Sequence, residues 1–291
     1  MRIPMSYNIL RHRDHPGGLT DPGLLATIRE DLARDGWTLL RGFQPDMEAF
    51  SGVVTTLCRR VTFDPARSHT TDTTQMVDAG LGPIGLHIEN GNTPRCPDIV
   101  TFFAQTAAFE GSQTTICDGR VVWDRFDDAQ KARWSQRMTV ERVLPEALWK
   151  RYLANEHPAI SDPAQVTMEH VLQFKAAIPD QDFALHPDGS LTYRLTLDPV
   201  RPSALGGETR GFANAVLGPS HNYQPPRYAM ADGTEVTPEE IEEIRALAEE
   251  VTHEINWQDG DIAILDNTRV MHGRRAIADA NRNLFIGMGT I

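Results

Sequence analysis

The chain has 291 residues, 40% of them hydrophobic and 23% charged, which is the make-up of a globular protein with a substantial core rather than of a disordered tract. Its formal net charge of −12 repels phosphate backbones and anionic lipid, so nucleic-acid and membrane-surface binding are expected to be absent, while a small anion remains admissible wherever arginines line a pocket. The three cysteines, Cys58, Cys96 and Cys117, share no C-x-x-C spacing, which excludes a disulfide framework and fits a reducing compartment. No apolar run is long enough to span a bilayer and the first residues carry no signal-peptide core, so a cytoplasmic location is expected.

Along the chain, Asp21–Arg34 places Leu24, Leu25, Ile28 and Leu32 at helical spacing, with Asp21 as cap, Pro22 at the first helical position and Asp35-Gly36 as the stop. Trp37–Phe43 reads as a strand, Met47–Arg60 as a second helix and 162–177 as a third. The clearest helix is Pro238–Glu254, where Thr237 and Glu240 have the spacing of a capping box. Strands are expected at Ile99–Ala104, Thr114–Cys117, Ile262–Leu265 and Leu284–Met288, with turns at 186–189 and 231–233. The sum is one domain over 1–291 that is mainly β with peripheral helices, including N-terminal helices and a helical insertion around 125–180.

Three local signals carry chemistry. In Gly85-Leu86-His87-Ile88-Glu89-Asn90 the i, i+2 spacing turns His87 and Glu89 to one side of an extended segment and Ile88 to the other. Alone, such a pair is commonplace. Farther on, a buried strand exits through Asp266-Asn267 to present His272, and Arg282 follows ten residues later ahead of another apolar strand. An arginine so placed calls for an anionic partner, either a core acid or a bound carboxylate gripped by its guanidinium fork.

Taken together and in this order, these signals resemble the iron(II)/2-oxoglutarate dioxygenase superfamily, in its taurine dioxygenase and clavaminate synthase-like branch. Gly111-Ser112-Gln113-Thr114 resembles that branch's Gly-Gly-x-Thr turn, with Ser112 in place of the second glycine, and the resemblance runs from about Gly36 to the C-terminus. It implies a double-stranded β-helix (jelly-roll) core. It implies Fe(II) held by His87, Glu89 and His272, and 2-oxoglutarate held by Thr114 and Arg282, with dioxygen as co-reactant. The implied reaction is oxidative decarboxylation to succinate and carbon dioxide, coupled to hydroxylation of an unactivated C–H bond. Glu89 stands where halogenases of the superfamily have Ala or Gly, which favours hydroxylation; desaturation, cyclisation and halogenation are the alternative outcomes.

Substrate candidates are Asn90, Asn92, Arg194, Arg210, Asn214 and Arg274, which suggest a small polar molecule such as an amino acid or derivative, free or presented by a carrier protein. Trp123 is expected in the core, and His69, His221 and His253 lack a partner at ligand spacing. A catalytic zinc site is the metal-based rival, but no His-Glu-x-x-His helix is present and Arg282 and Thr114 would have no role in it. A non-catalytic binding protein on the same barrel is the rival from another class.

Overall fold

The structure, a computed structural model, describes residues 9–291 apart from 65, 66, 79, 157–159, 161 and 220–223, so His221 and the first eight residues lie outside the described residues. With strands and helices numbered along the chain, the largest sheet runs β1 (Ile9–Arg11), β2 (Trp37–Arg41), β15 (Asp261–Asp266), β6 (Ile99–Thr106), β17 (Asn283–Thr290) and β3 (Arg60–Thr62). A short β4 (Gln75–Met76) also pairs with β17. A second sheet runs β14 (His253–Ile255), β7 (Thr114–Asp118), β16 (Val270–Arg274), β5 (Ile84–His87).

Alternation along β15 explains how the two sheets assemble. Ala263 and Leu265 point inward and pack with Phe102, Ile116, Val270 and Ile286, joining the large sheet to the second one. Ile262 and Ile264 point outward under Leu24, Ile28, Phe50 and Val54, which belong to helices α1 (Pro22–Asp35) and α2 (Met47–Leu57). Both faces of the strand are therefore apolar, which is why its sequence reads as an unbroken hydrophobic run. The result is a mainly β, double-stranded β-helix (jelly-roll) core with helices on its outer face.

A third sheet, β13 (Arg227–Met230), β8 (Met138–Leu144), β10 (Leu191–Leu197), β9 (Gln181–Leu185), has its own apolar cluster. That cluster is covered by helices α5 (Glu146–Glu156), α6 (Met168–Ala177) and α7 (Pro238–Glu250). The helical insertion expected around 125–180 is thus corrected. Helices α3 (Gly119–Arg125), α4 (Asp128–Trp134), α5 and α6 lie there, but β8 runs through the middle and pairs with β10 along seven residues. A small hairpin of β11 (Val200–Pro202) and β12 (Arg210–Phe212) completes the strands among the described residues.

Local chemistry set most helix ends where the sequence placed them. Asp21 caps α1 and Gly36 ends it at φ 81°, and the Thr237/Glu240 capping box opens α7. The helix expected over 162–177 begins instead at Met168, after a 3₁₀ turn at Pro163–Gln165, because Thr167 caps it. Helix α7 stops at Glu250, and His253–Ile255 becomes an edge strand of the second sheet.

Candidate metal and cosubstrate site

Strands β5 and β16 are neighbours with His87 directly opposite His272, so two residues 185 apart in sequence meet by register alone. The rings stand 4.6 Å apart between centroids, over Phe102 of β6, whose ring lies 5.1 Å from that of His272. The cluster therefore sits between the two sheets of the jelly roll. Close pairing needs Gly273 beside it, since a Cβ there would come within 2.5 Å of the Ile84 carbonyl oxygen.

Glu89 lies in a turn just past β5. Its backbone is bracketed by Asn267, whose Oδ1 accepts from Glu89 N at 2.8 Å and whose Nδ2 donates to Glu89 O at 3.1 Å. Glu89 Oε2 stands 3.3 Å from His272 Nε2 and 3.8 Å from His87 Nε2, and the candidate donor atoms of all three side chains lie within 4.8 Å of one another. Donors about 2.1 Å from one ion stand about 3 Å apart when they bind at right angles, so this spacing fits one face of an octahedral ion. Ile88 is buried and packs into the core on the other side, as its position between the two predicts.

Electrostatics prepares the three groups for a cation. His87 Nδ1 lies 2.8 Å from the Gly85 carbonyl oxygen; donating its proton there leaves the Nε2 lone pair toward Glu89 and His272. Burial, reinforced by His87, pushes His272 down to about 4, so its imidazole is neutral at pH 7. Burial opposes the charge on Glu89, but the Arg67 guanidinium, with the neighbouring imidazoles, outweighs it and holds the carboxyl well below its usual range. Arg67 Nη2 donates to Glu89 Oε1 at 2.8 Å and leaves Oε2 to the histidines.

Three guanidinium groups gather beside this cluster in a chain that is acidic overall. Arg274, two residues after His272 on the same face of β16, sits opposite Thr114 of β7, and its Nη2 donates to the carbonyl oxygens of Gly80 and Gly82. Arg282 donates through Nη1 to Ser112 Oγ at 2.7 Å, while its buried Nη2 has no hydrogen-bond partner among the described residues. Burial and the charge of Arg274 press Arg282 down to about 10. A carboxylate accepts from such a fork and relieves both effects at once. Thr114 accepts from Trp257 Nε1 at 3.0 Å, which leaves its own hydroxyl proton to donate. Ser112 adopts φ 67°, the left-handed conformation in which glycine is the easier residue.

The remaining sequence candidates divide. Asn90, at φ 54°, lines a cavity next to the cluster. Asn92 is buried and donates to the Tyr228 hydroxyl, a packing role. Asn214 is fully buried: its side chain bonds Pro199 O and Val216 N, and its carbonyl oxygen accepts from Ile88 N, so it braces the ligand-bearing segment without facing it. Two expectations are corrected outright. Arg194 lies on the partly exposed face of the third sheet, 2.6 Å from Glu141 and 3.9 Å from Asp182, because that sheet's apolar face takes Tyr193 and Leu195 instead. Arg210 is exposed on the β11–β12 hairpin. Arg275 is spent on Glu249 and Glu254. Trp123, partly buried, packs against the core cluster, and His69 packs on Phe63. Sequence reasoning missed Arg67 and the roles of Asn267 and Trp257, which stand in or beside the segment leading to His272; only the fold brings them to the site.

The chain belongs to the TauD/TfdA family of taurine catabolism dioxygenases, whose model matches residues 14–288. It is an Fe(II)/2-oxoglutarate-dependent oxygenase, and its cofactors are iron, 2-oxoglutarate and dioxygen. Among curated proteins, the dapdiamide synthesis protein DdaC of Enterobacter agglomerans is 26% identical over 281 residues, covering 85% of this chain and 80% of that protein. Among solved structures, a taurine dioxygenase from Burkholderia xenovorans superposes with TM-score 0.61 at 18% identity, covering 94% of this chain and 82% of that one. PvcB from Pseudomonas aeruginosa superposes with TM-score 0.59 at 16% identity, covering 97% of this chain and 84% of that one. Among the described residues no helix is long and apolar enough to cross a membrane.

Proposed function

We propose that His87, Glu89 and His272 hold the iron(II), that Arg282 and Thr114 bind the distal carboxylate of 2-oxoglutarate, and that the enzyme hydroxylates a C–H bond of a small carboxylate-bearing molecule. The observation that carries this reading is the convergence of two imidazoles, that of His272 neutral, and one ionised carboxylate beside a guanidinium whose buried Nη2 has no hydrogen-bond partner among the described residues.

When bound, iron(II) with 2-oxoglutarate and dioxygen supplies an oxidant able to take a hydrogen atom from an unactivated C–H bond. The chain's own groups do the rest. Gly85 fixes the His87 tautomer, Arg67 and Asn267 fix the orientation of Glu89, and Phe102 with the surrounding sheet residues keeps water from the buried side. Arg282 and Thr114 would hold the far carboxylate of the cosubstrate and so fix its orientation. Arg274 adds positive potential and holds the 80–82 segment against β16. A carboxylate at position 89 occupies the place that a halide needs, which favours hydroxylation over halogenation.

Anaerobic titration with ferrous ion and 2-oxoglutarate tests the assignment. The wild-type chain is expected to develop a weak visible absorption band, His272→Ala to lack it, and Arg282→Met to need at least ten times more 2-oxoglutarate to reach it. A band unchanged in His272→Ala would overturn the ligand set.

A further inference from the structure

A cavity with about 70 Å³ of open space lies between the third sheet, α5, α6 and the 90–95 loop. Asn90 lines it, immediately after Glu89, and so does Phe63, which packs on His69 in the loop that carries Arg67. The cavity thus begins at the residues that flank the metal cluster.

Its walls are flat and apolar: Trp149 from α5, Phe174 from α6 and Phe183 from β9. Besides Asn90, Thr93 and Arg95 of the loop and Tyr152 of α5, its polar groups come from adjacent strands of one sheet. Arg142 of β8 is opposite Tyr193 of β10, which is opposite Phe183 of β9, and the Arg142 guanidinium lies 4.9 Å over the Tyr193 ring. Gln181 and Tyr193 are 5% and 4% exposed. Gln181 Nε2 has no hydrogen-bond partner among the described residues, and the Tyr193 hydroxyl has none there beyond the Arg142 guanidinium beside it. Burying such groups is costly unless something pairs with them, and the fold keeps both aimed into one apolar cavity beside a cation. Each of the three can donate. Their common complement is an anionic acceptor.

We propose that this cavity seats the part of the substrate remote from the oxidised carbon, and that this part is an aromatic or similarly flat apolar group carrying a carboxylate, bound by Arg142, Gln181 and Tyr193. The proposal rests on reading the His87–Glu89–His272 cluster as the oxygen-activating centre. It replaces the arginines that the sequence suggested for the substrate carboxylate, Arg194 and Arg210, with one that lies inside a cavity. Stacking between rings supplies affinity for the flat group, and the donor set selects the acid over its neutral analogues.

Three probes separate these contributions: 3-phenylpropionate, its methyl ester, and propionate. Binding is read by equilibrium dialysis on the full-length chain, with and without ferrous ion and 2-oxoglutarate under anaerobic conditions. The aryl acid is expected to bind at least tenfold more tightly than either the ester or propionate. Arg142→Met should erase the preference over the ester, and Gln181→Leu and Tyr193→Phe should each reduce it threefold or more, with circular dichroism confirming the fold of each variant. If Arg142→Met does not fold, the other two decide. Equal binding of acid and ester by the wild-type chain, or an unchanged preference in the folded variants, overturns the proposal. Failure of the metal assignment is distinguishable: selective binding of the acid by a chain that shows no visible band with iron and 2-oxoglutarate overturns that assignment and upholds the cavity as an acid-binding site.

Discussion

Ser112 illustrates how one side chain can be retained against its own backbone. A non-glycine residue in the left-handed region costs about 1 kcal/mol, and its hydroxyl returns a hydrogen bond to the Arg282 guanidinium of about the same size. Ser112→Gly is therefore expected to leave the melting temperature within a few degrees of wild type while weakening 2-oxoglutarate two- to fivefold, measured by thermal unfolding and by anaerobic titration. Neighbouring residues at 88 and 89 give the converse contrast. Ile88→Val removes one buried methylene, costs about 0.5–1.5 kcal/mol and leaves metal binding intact. Glu89→Ala removes the carboxylate that pairs with buried Arg67, costs about 1.5–3 kcal/mol and abolishes the visible band. Denaturant titration alongside the band separates the two effects, and equal loss of the band in both variants would contradict the opposed faces of residues 88 and 89.

Among the elements, the N-terminal cap of α7 offers the cleanest stability test, because Thr237 and Glu240 bond each other and Arg133 and none of the clustered ligands. Thr237→Ala should cost about 1 kcal/mol and leave 2-oxoglutarate affinity unchanged. Burial works against the Glu240 charge, but hydrogen bonds with Arg133 and the Thr237 backbone prevail and lower its carboxyl below the ordinary value. A depressed carboxyl stabilises the fold fully above its unfolded value of about 4.3 and loses that contribution as pH falls through the folded value. Unfolding measured from pH 7 down through this window should show a smaller pH slope in Glu240→Gln. The helix ends were legible because capping is local chemistry: Asp21, Gly36, Thr237 and Glu240 act within one turn of where they stand. Strands β8 and β13 were not read, since RYAM is too short for a period and MTVERVL alternates only once its partners define a face. The same limit misplaced Arg194. Alternation in LTYRLTL says that Arg194 and Tyr193 point to opposite faces, and only the packing of α5 and α6 decides which face is inside.

On the scale of the whole molecule, cysteine burial ranks three thiols without any disulfide among them. Burial pushes Cys58 and Cys117 each up to about 12, whereas Cys96 is partly exposed and donates to Asn90 O at 3.2 Å. Alkylation with iodoacetamide at pH 8 should modify Cys96 first and reach Cys117 only on unfolding, as read by peptide mass mapping. The clustering of His87, Glu89 and His272 was legible in the sequence because each belongs to a compact pattern. Arg67 and Asn267 were invisible, since they reach Glu89 across 22 and 178 residues of chain through side-chain geometry alone. The third sheet leaves a different mark. Its strands and helices carry Arg142, Trp149, Gln181 and Tyr193, whereas the three clustered ligands hang on β5, the turn after it and β16. Lineages descended from such a chain are free to exchange residues 138–197 for new molecular tastes while inheriting the oxidising machinery whole, so the chemistry and the diet of this enzyme can diverge at separate rates.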